Sequence, residues 1–277
     1  MYTPVVDLTQ VILPEEQKQL IVRTVANFDN FSKARKRLAF DETMSYGTGI
    51  LLLFFGKSGT GKTMMANAVA KMLGKRILLI NYPSLGYNVS DQVIKWLFRE
   101  AKLNDAVLFF DECESIFQSR DTFSGGVNLL LTEIERHDSL IIMATNRAYG
   151  IILSLSLSLT NQSKIDLDEA MHRRITLAIE FKNPDPFLRT DIWKAHVPSS
   201  VGVGDDVKFN ELAIKYELTG GLIKNAILYA LSEAVSRDAD KPGIFFTLYL
   251  FIYLFIFISL LFVSFYYLFI FKFLFFL

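Results

Sequence analysis

The chain of 277 residues has a single cysteine, Cys113, so no internal disulfide can form, a usage that fits a reducing compartment. Its three histidines, His137, His172 and His196, lie far apart, and none has a partner at metal-ligand spacing. Excess charge is missing too. Lys+Arg and Asp+Glu both number 29, so no global field argues for nucleic acid. The opening stretch MYTPVVDLTQVILPEEQ has no basic region before an apolar core and does not read as a signal peptide. A long apolar run occurs only at the far end, from Ile244, and it inflates the overall apolar fraction of 51%. The length leaves room for one large domain or two small ones.

What is present centres on ILLLFFGKSGTGKT, Ile50 to Thr63. An apolar run stops at a glycine-rich turn, and MMANAVAKML continues with helical character. The pattern is strand, loop, helix, with G-x-x-x-x-G-K-T over Gly56–Thr63. Gly56, Gly59 and Gly61 let the backbone curl so that successive N–H groups point at phosphate oxygens. Lys62 has the reach for β- and γ-phosphates, and the Thr63 hydroxyl is a ligand for Mg²⁺. The helix starting near Gly61 adds its positive dipole end. This stretch is expected to bind a nucleoside triphosphate.

Further strands and helices alternate. An amphipathic helix is expected over Gln17–Phe31, with Leu20, Ile21, Val25, Phe28 and Phe31 as its apolar positions. The basic run Lys33–Arg37 reads as a solvated helix face, because no aromatic residues interleave with it. Arg76–Asn81 is a second strand, Asp91–Leu103 an amphipathic helix, and AVLFFDE a third strand ending in Asp111 and Glu112. Behind a phosphate loop, such a pair suits hydrolysis: Asp111 holds Mg²⁺ through its water shell, and Glu112 acts as general base. After a helix at Gly126–His137, LIIMATNR forms a fourth strand. If the sheet is parallel, Thr145 and Asn146 stand at its carboxyl end beside the acidic pair, where open α/β sheets bind ligands. The alternation predicts a doubly wound parallel α/β core.

With these motifs in this order, the chain from about Val11 to Asp238 resembles an AAA+ ATPase, of the AAA subgroup that includes hexameric remodelling and unfolding machines. GKSGTGKT resembles Walker A, VLFFDE Walker B, ATNR the sensor-1 segment, and LDEAMHRRI (Leu167–Ile175) the arginine-finger segment. The resemblance implies ATP with Mg²⁺ as cofactors. It assigns nucleotide contacts to Gly56, Lys57, Ser58, Gly59, Thr60, Gly61, Lys62, Thr63 and Met64, and metal contacts to Thr63 and Asp111. Glu112 and Asn146 would act within the subunit. Arg173 and Arg174 would act across an interface in a homo-oligomer, a hexamer by family likeness. Residues 186–242 match the family's helical lid, following a core over 48–185 and an N-terminal segment over 1–47. Lys224 falls near the sensor-2 region.

Two stretches depart from the family pattern. The loop SLGYNVSDQ is short for an aromatic pore loop, with Tyr87 its candidate residue. GIILSLSLSLTNQSKI, Gly150–Ile165, separates segments that the family nearly joins. The end of the chain, 243–277, is long enough to span a membrane. Yet Ile244–Leu277 holds no Ala or Gly, and Lys272 is its one charge. Both odd segments begin Gly-Ile, which GGT-AT encodes, so they read as translated introns, with a membrane anchor as the alternative for the tail. The expected protein is a cytoplasmic, ring-forming ATP hydrolase that remodels a protein partner. A nucleotide-gated module with little turnover and a membrane-anchored form are the alternatives.

Overall fold

A computed structural model describes residues 1–38, 49–85, 90–113, 126–146, 173–198, 203 and 207–237. They fall into two compact units, Met1–Asn183 and Pro184–Leu277.

The first unit is built on five parallel strands: β1 (Ile50–Phe55), β2 (Arg76–Asn81), β3 (Ala106–Asp111), β4 (Leu140–Thr145) and β5 (Leu177–Glu180). Their spatial order is β2-β3-β4-β1-β5. β1 and β4 are buried along their whole length and β3 along all but its last residue, as strands covered on both faces must be. β2 lies at an edge, with Arg76, Leu79 and Asn81 exposed and Ile77, Leu78 and Ile80 buried. Side chains alternate across the sheet. Leu51, Leu53 and Phe55 join one core with helices α3 (Asp91–Leu103) and α4 (Gly126–Arg136). Ile50, Leu52 and Phe54 join the other core with α1 (Glu15–Arg37) and α2 (Lys62–Met72). The parallel α/β sandwich expected from the alternation is therefore present.

α1 extends past the predicted end, through the basic run to Arg37. Only a narrow stripe of it is buried, carried by Ile21 and Val25 at 0% exposure, each contributing roughly 1.5–3 kcal/mol on burial. Leu20 and Phe31, counted above among the apolar positions, stand about 80–100° off that stripe at 3.6 residues per turn. They are accordingly exposed. The basic run is not uniformly solvated either. Lys33 pairs with Asp29 at 2.6 Å on the surface, whereas Arg35 is 3% exposed.

The second unit contains the three helices expected there: α5 (Pro186–His196), α6 (Phe209–Lys215) and α7 (Gly220–Arg237). Asp185 caps α5, its carboxylate accepting from Leu188 N at 2.8 Å, with Pro186 in the first helical position. Buried Arg189 ties α5 to α6 by donating to the carbonyls of Ala213 and Pro184, each at 2.7 Å. Trp193 is fully buried and stacks on Phe209. Ile223, Ala226, Ile227 and Ala230 form the packed face of α7. Tyr87, Gly150–Ile165 and the 243–277 tail lie outside the described residues. Among the described residues, no helix is long and apolar enough to cross a membrane.

His137, at the foot of α4, is 4% exposed, and its ring meets Phe98 edge-on at 5.4 Å. Burial lowers its pKa from 6.5 to about 4; Asp138 opposes the shift, and Lys102 and Lys75 add to it. The imidazole is thus neutral in the fold, while the unfolded chain protonates near 6.5. Stability from this group is fully present above about pH 6.5 and is lost as pH falls towards 4, about 3 kcal/mol in all. Urea midpoints measured from pH 7.5 to 4 should fall across that window, and His137→Leu should flatten the fall. An unchanged slope in the variant would remove His137 as the cause.

Candidate active site

β1 delivers the chain to Gly56 at the carboxyl edge of the sheet. There Phe181 N donates to Phe55 O at 2.7 Å, which brings the chain leaving β5 hard against the loop. A Cβ at position 56 would lie 2.3 Å from Phe181 O, and the backbone there has φ 133°. Glycine is required on both counts. Gly61, with φ 103°, precedes α2 without any side-chain cap, and the first turn of α2 carries no acid. Its leading N–H groups and positive end are left for an anion.

Lys57, Ser58 and Gly59 are exposed at the loop tip. Thr60 closes the turn through its hydroxyl, which donates to Lys57 O at 2.8 Å. Lys62 is 6% exposed, and its ammonium donates to Gly56 O and Lys57 O, both at 2.8 Å. The charge is therefore held inside the curl of the loop by backbone oxygens. Thr63 and half-buried Met64 follow in the first turn of α2.

The Thr63 hydroxyl donates to Asp111 Oδ2 at 3.0 Å, joining α2 to the end of β3. The other Asp111 oxygen accepts from Glu112 N at 3.0 Å. Glu112 has φ 54°, in the left-handed region that costs a non-glycine residue of order 1–3 kcal/mol. Two neighbours hold it. Buried Cys113 donates its thiol to Ala144 O at 3.0 Å, and Asn81 donates to Glu112 Oε2 at 3.2 Å. Asn81 Oδ1 in turn accepts from the N and Oγ of Ser84, at 3.1 and 2.8 Å, in the short turn Tyr82–Leu85.

Sequence reasoning missed Asn81. A polar residue closing an otherwise apolar strand was the available signal, and the register Asn81↔Asp111 is what gives it meaning.

β4 lies between β3 and β1, and Phe55 aligns with Thr145. Exposed Asn146 therefore follows at the same edge as Gly56 and the acidic pair. Among the described residues, no three His, Cys, Asp or Glu side chains form a metal cage. The Thr63 hydroxyl and the Asp111 carboxylate are nevertheless hard oxygen donors. They fit a Mg²⁺ that keeps several waters and takes its remaining ligands from phosphate.

The two arginines are elsewhere. Thr176 N donates to Leu51 O at 2.9 Å, Leu51 N donates to Thr176 Oγ1 at 3.2 Å, and β5 then pairs from Leu52↔Leu177 onward. Arg173 and Arg174 thus precede β5 at the amino ends of the strands. Five residues of β1 separate that level from Gly56, about 16 Å at 3.3 Å per residue, so neither arginine serves the loop of its own chain. Arg173 is exposed. Arg174 Nη2 lies 2.5 Å from Glu135 Oε1, near the end of α4. Leu167–His172, the rest of that segment, lies outside the described residues. Lys224 is exposed on α7.

Residues 52–181 match the family described as "ATPase family associated with various cellular activities (AAA)". The chain is 32% identical to Protein SAV of Sulfolobus acidocaldarius over 83% of its length, covering 30% of that protein. It is 30% identical to a vesicle-fusing ATPase of Arabidopsis thaliana over 68% of its length, covering 28% of that protein. It is also 31% identical to a putative 26S proteasome regulatory subunit homolog of Methanothermobacter thermautotrophicus, again over 68%, covering 50%. The chain thus spans half or less of the length of each of these relatives. Its phosphate loop, acidic strand end and parallel sheet coincide with the matched region, and through that region the chain belongs to the AAA family of ATPases.

Proposed function

We propose that the chain binds ATP with Mg²⁺ and hydrolyses it as one subunit of a homo-oligomeric ring, coupling turnover to the remodelling of a protein partner. The observation that carries this is the single polar array along one sheet edge. Lys62 sits within the loop, Thr63 is bonded to Asp111, and Glu112 follows next in the chain.

Phosphate oxygens would take over the Lys62 ammonium from the two backbone carbonyls and collect the N–H groups of the loop. Thr63 and Asp111 would hold Mg²⁺, directly and through water respectively; the ion neutralises charge on the phosphates. Glu112 would accept a proton as a water oxygen attacks the γ-phosphorus and the bond to the β-phosphate oxygen breaks. Asn146 would orient that water without adding charge.

The arginines support the ring. They lie too far from their own loop to serve it, which is why we assign them to a neighbouring subunit's site, where a guanidinium supplied in trans is worth on the order of 10³–10⁵ in rate. Sixfold symmetry and adenine preference rest on family likeness. Relatives named for vesicle fusion and proteasome regulation support a protein complex as the substrate. The bond from Asn81 to Glu112 favours a second reading, a nucleotide-gated module whose base is held back and turns over little.

Lys62→Ala should weaken nucleotide binding itself, read by titration with a fluorescent ATP analogue. Glu112→Gln should keep binding and abolish steady-state hydrolysis; unchanged turnover would exclude Glu112 as base. The rate per subunit should rise with protein concentration, and a rate independent of concentration down to the monomer would exclude the ring. Asn81→Ala removes a hydrogen bond that stabilises the Glu112 carboxylate. It should raise kcat roughly three- to tenfold with KM for ATP unchanged. A fall in kcat would instead make Asn81 an aiming group.

A further inference from the structure

Ahead of α1 the chain runs as a strap across the outside of α2, the helix that follows the phosphate loop. Tyr2 exchanges both backbone hydrogen bonds with Ile77 on the edge strand β2, each at 3.0 Å. Val5 O accepts from the Lys71 ammonium at 2.7 Å, and Asp7 pairs with the same ammonium at 2.9 Å. Val6, Leu8 and Leu13 pack on the core beneath α1 and α2, and Val11 is buried in it. The Tyr2 hydroxyl donates to Asn67 Oδ1 at 2.9 Å, and the Asn67 amide donates to Thr63 O at 2.8 Å. Thr63 is the residue bonded to Asp111.

Thr63, Asn67 and Lys71 recur every four residues, so they form one stripe along α2. At a rise of 1.5 Å per residue the stripe is about 12 Å long. Its three side chains are held by Asp111 at the end of β3, by Tyr2, and by Asp7. The buried side of α2 is shallow. Besides Lys62 it consists of Met65, Val69 and the short side chains of Ala66, Ala68 and Ala70. Alanines let a helix approach a sheet closely but make few of the contacts that fix its position along the sheet. The polar stripe supplies that fixing. Tyr2 is its brace, because its backbone belongs to the β2 edge and its hydroxyl to the helix.

We propose that Tyr2 and Asn67 are positioning residues for the metal: through them the strap fixes the first turn of α2 and keeps the Thr63 hydroxyl against Asp111, where the two serve one Mg²⁺. This rests on the assignment of Thr63 and Asp111 to Mg²⁺ proposed above.

The test uses the full chain and a fluorescent ATP analogue, titrated with Mg²⁺ and again in EDTA, with Tm recorded for each variant. The parent should bind more tightly with Mg²⁺. Tyr2→Phe keeps the ring and the backbone pairing and removes only the hydroxyl. It should leave affinity in EDTA unchanged and cut the Mg²⁺-dependent gain about two- to tenfold, the worth of one hydrogen bond. Asn67→Ala should cut the gain by a similar factor, and the double variant no further, because both lie on one path. The Mg²⁺ concentration for half-maximal hydrolysis should rise in step. Tm should stay within about 4 °C of the parent.

A Mg²⁺-dependent gain equal to the parent's in both single variants would overturn the proposal. Equal losses with Mg²⁺ and in EDTA would overturn it too, because the strap would then support the loop as a whole. Losses that add in the double variant would break the single path and overturn it likewise. A parent whose affinity ignores Mg²⁺ would remove the metal assignment itself, and the role given to the strap with it.

Discussion

The site depends on a contact between two stretches of backbone. Gly56 and Phe181 approach so closely that the first atom of any side chain at 56 would overlap a carbonyl. That approach follows from β5 pairing beside β1, with Phe181 N bonded to Phe55 O as the last rung. It sets the angle at which the chain leaves β1 and where the loop curls. It also sets where the first turn of α2 begins, and so where Thr63 meets Asp111. The rungs on the other side of β1 bring Thr145 level with Phe55. The geometry of this edge is a property of sheet register first and of side chains second, because a slip by one residue would turn every neighbour to the opposite face.

Legibility in the sequence followed the physics of each element. β1, β3 and β4 were visible because strands buried on both faces must be apolar at nearly every position. The phosphate loop was visible because its backbone demands glycine at fixed intervals. The limits of α1 were less legible. Apolar residues at 20 and 31 extend the pattern on paper, but a helix lying on a sheet buries a stripe too narrow to include them. Arg35 reads as one more cation in a basic run, and only its place on the wheel reveals that it turns inward.

Asn81 and Glu135 could not be read from sequence, for a shared reason. Each acquires meaning from a partner tens of residues away, Glu112 in one case and Arg174 in the other, and local pattern carries no trace of such pairings. The second unit was legible as helices because Asp185–Pro186 and the glycines at 220 and 221 mark their starts. The buried Arg189 that ties two of those helices together was not.

The backbone at Glu112 carries a further consequence. A left-handed residue with a long side chain is a standing cost to the folded state, one that glycine or asparagine would relieve. With Glu112 as the proposed base, stability and turnover pull in opposite directions at this position. Selection for heat resistance alone, in a laboratory library or in a lineage released from the need to hydrolyse nucleotide, will tend to drift towards small residues at 112. The sheet, the loop and the rest of the fold would stay unaltered around a silent site.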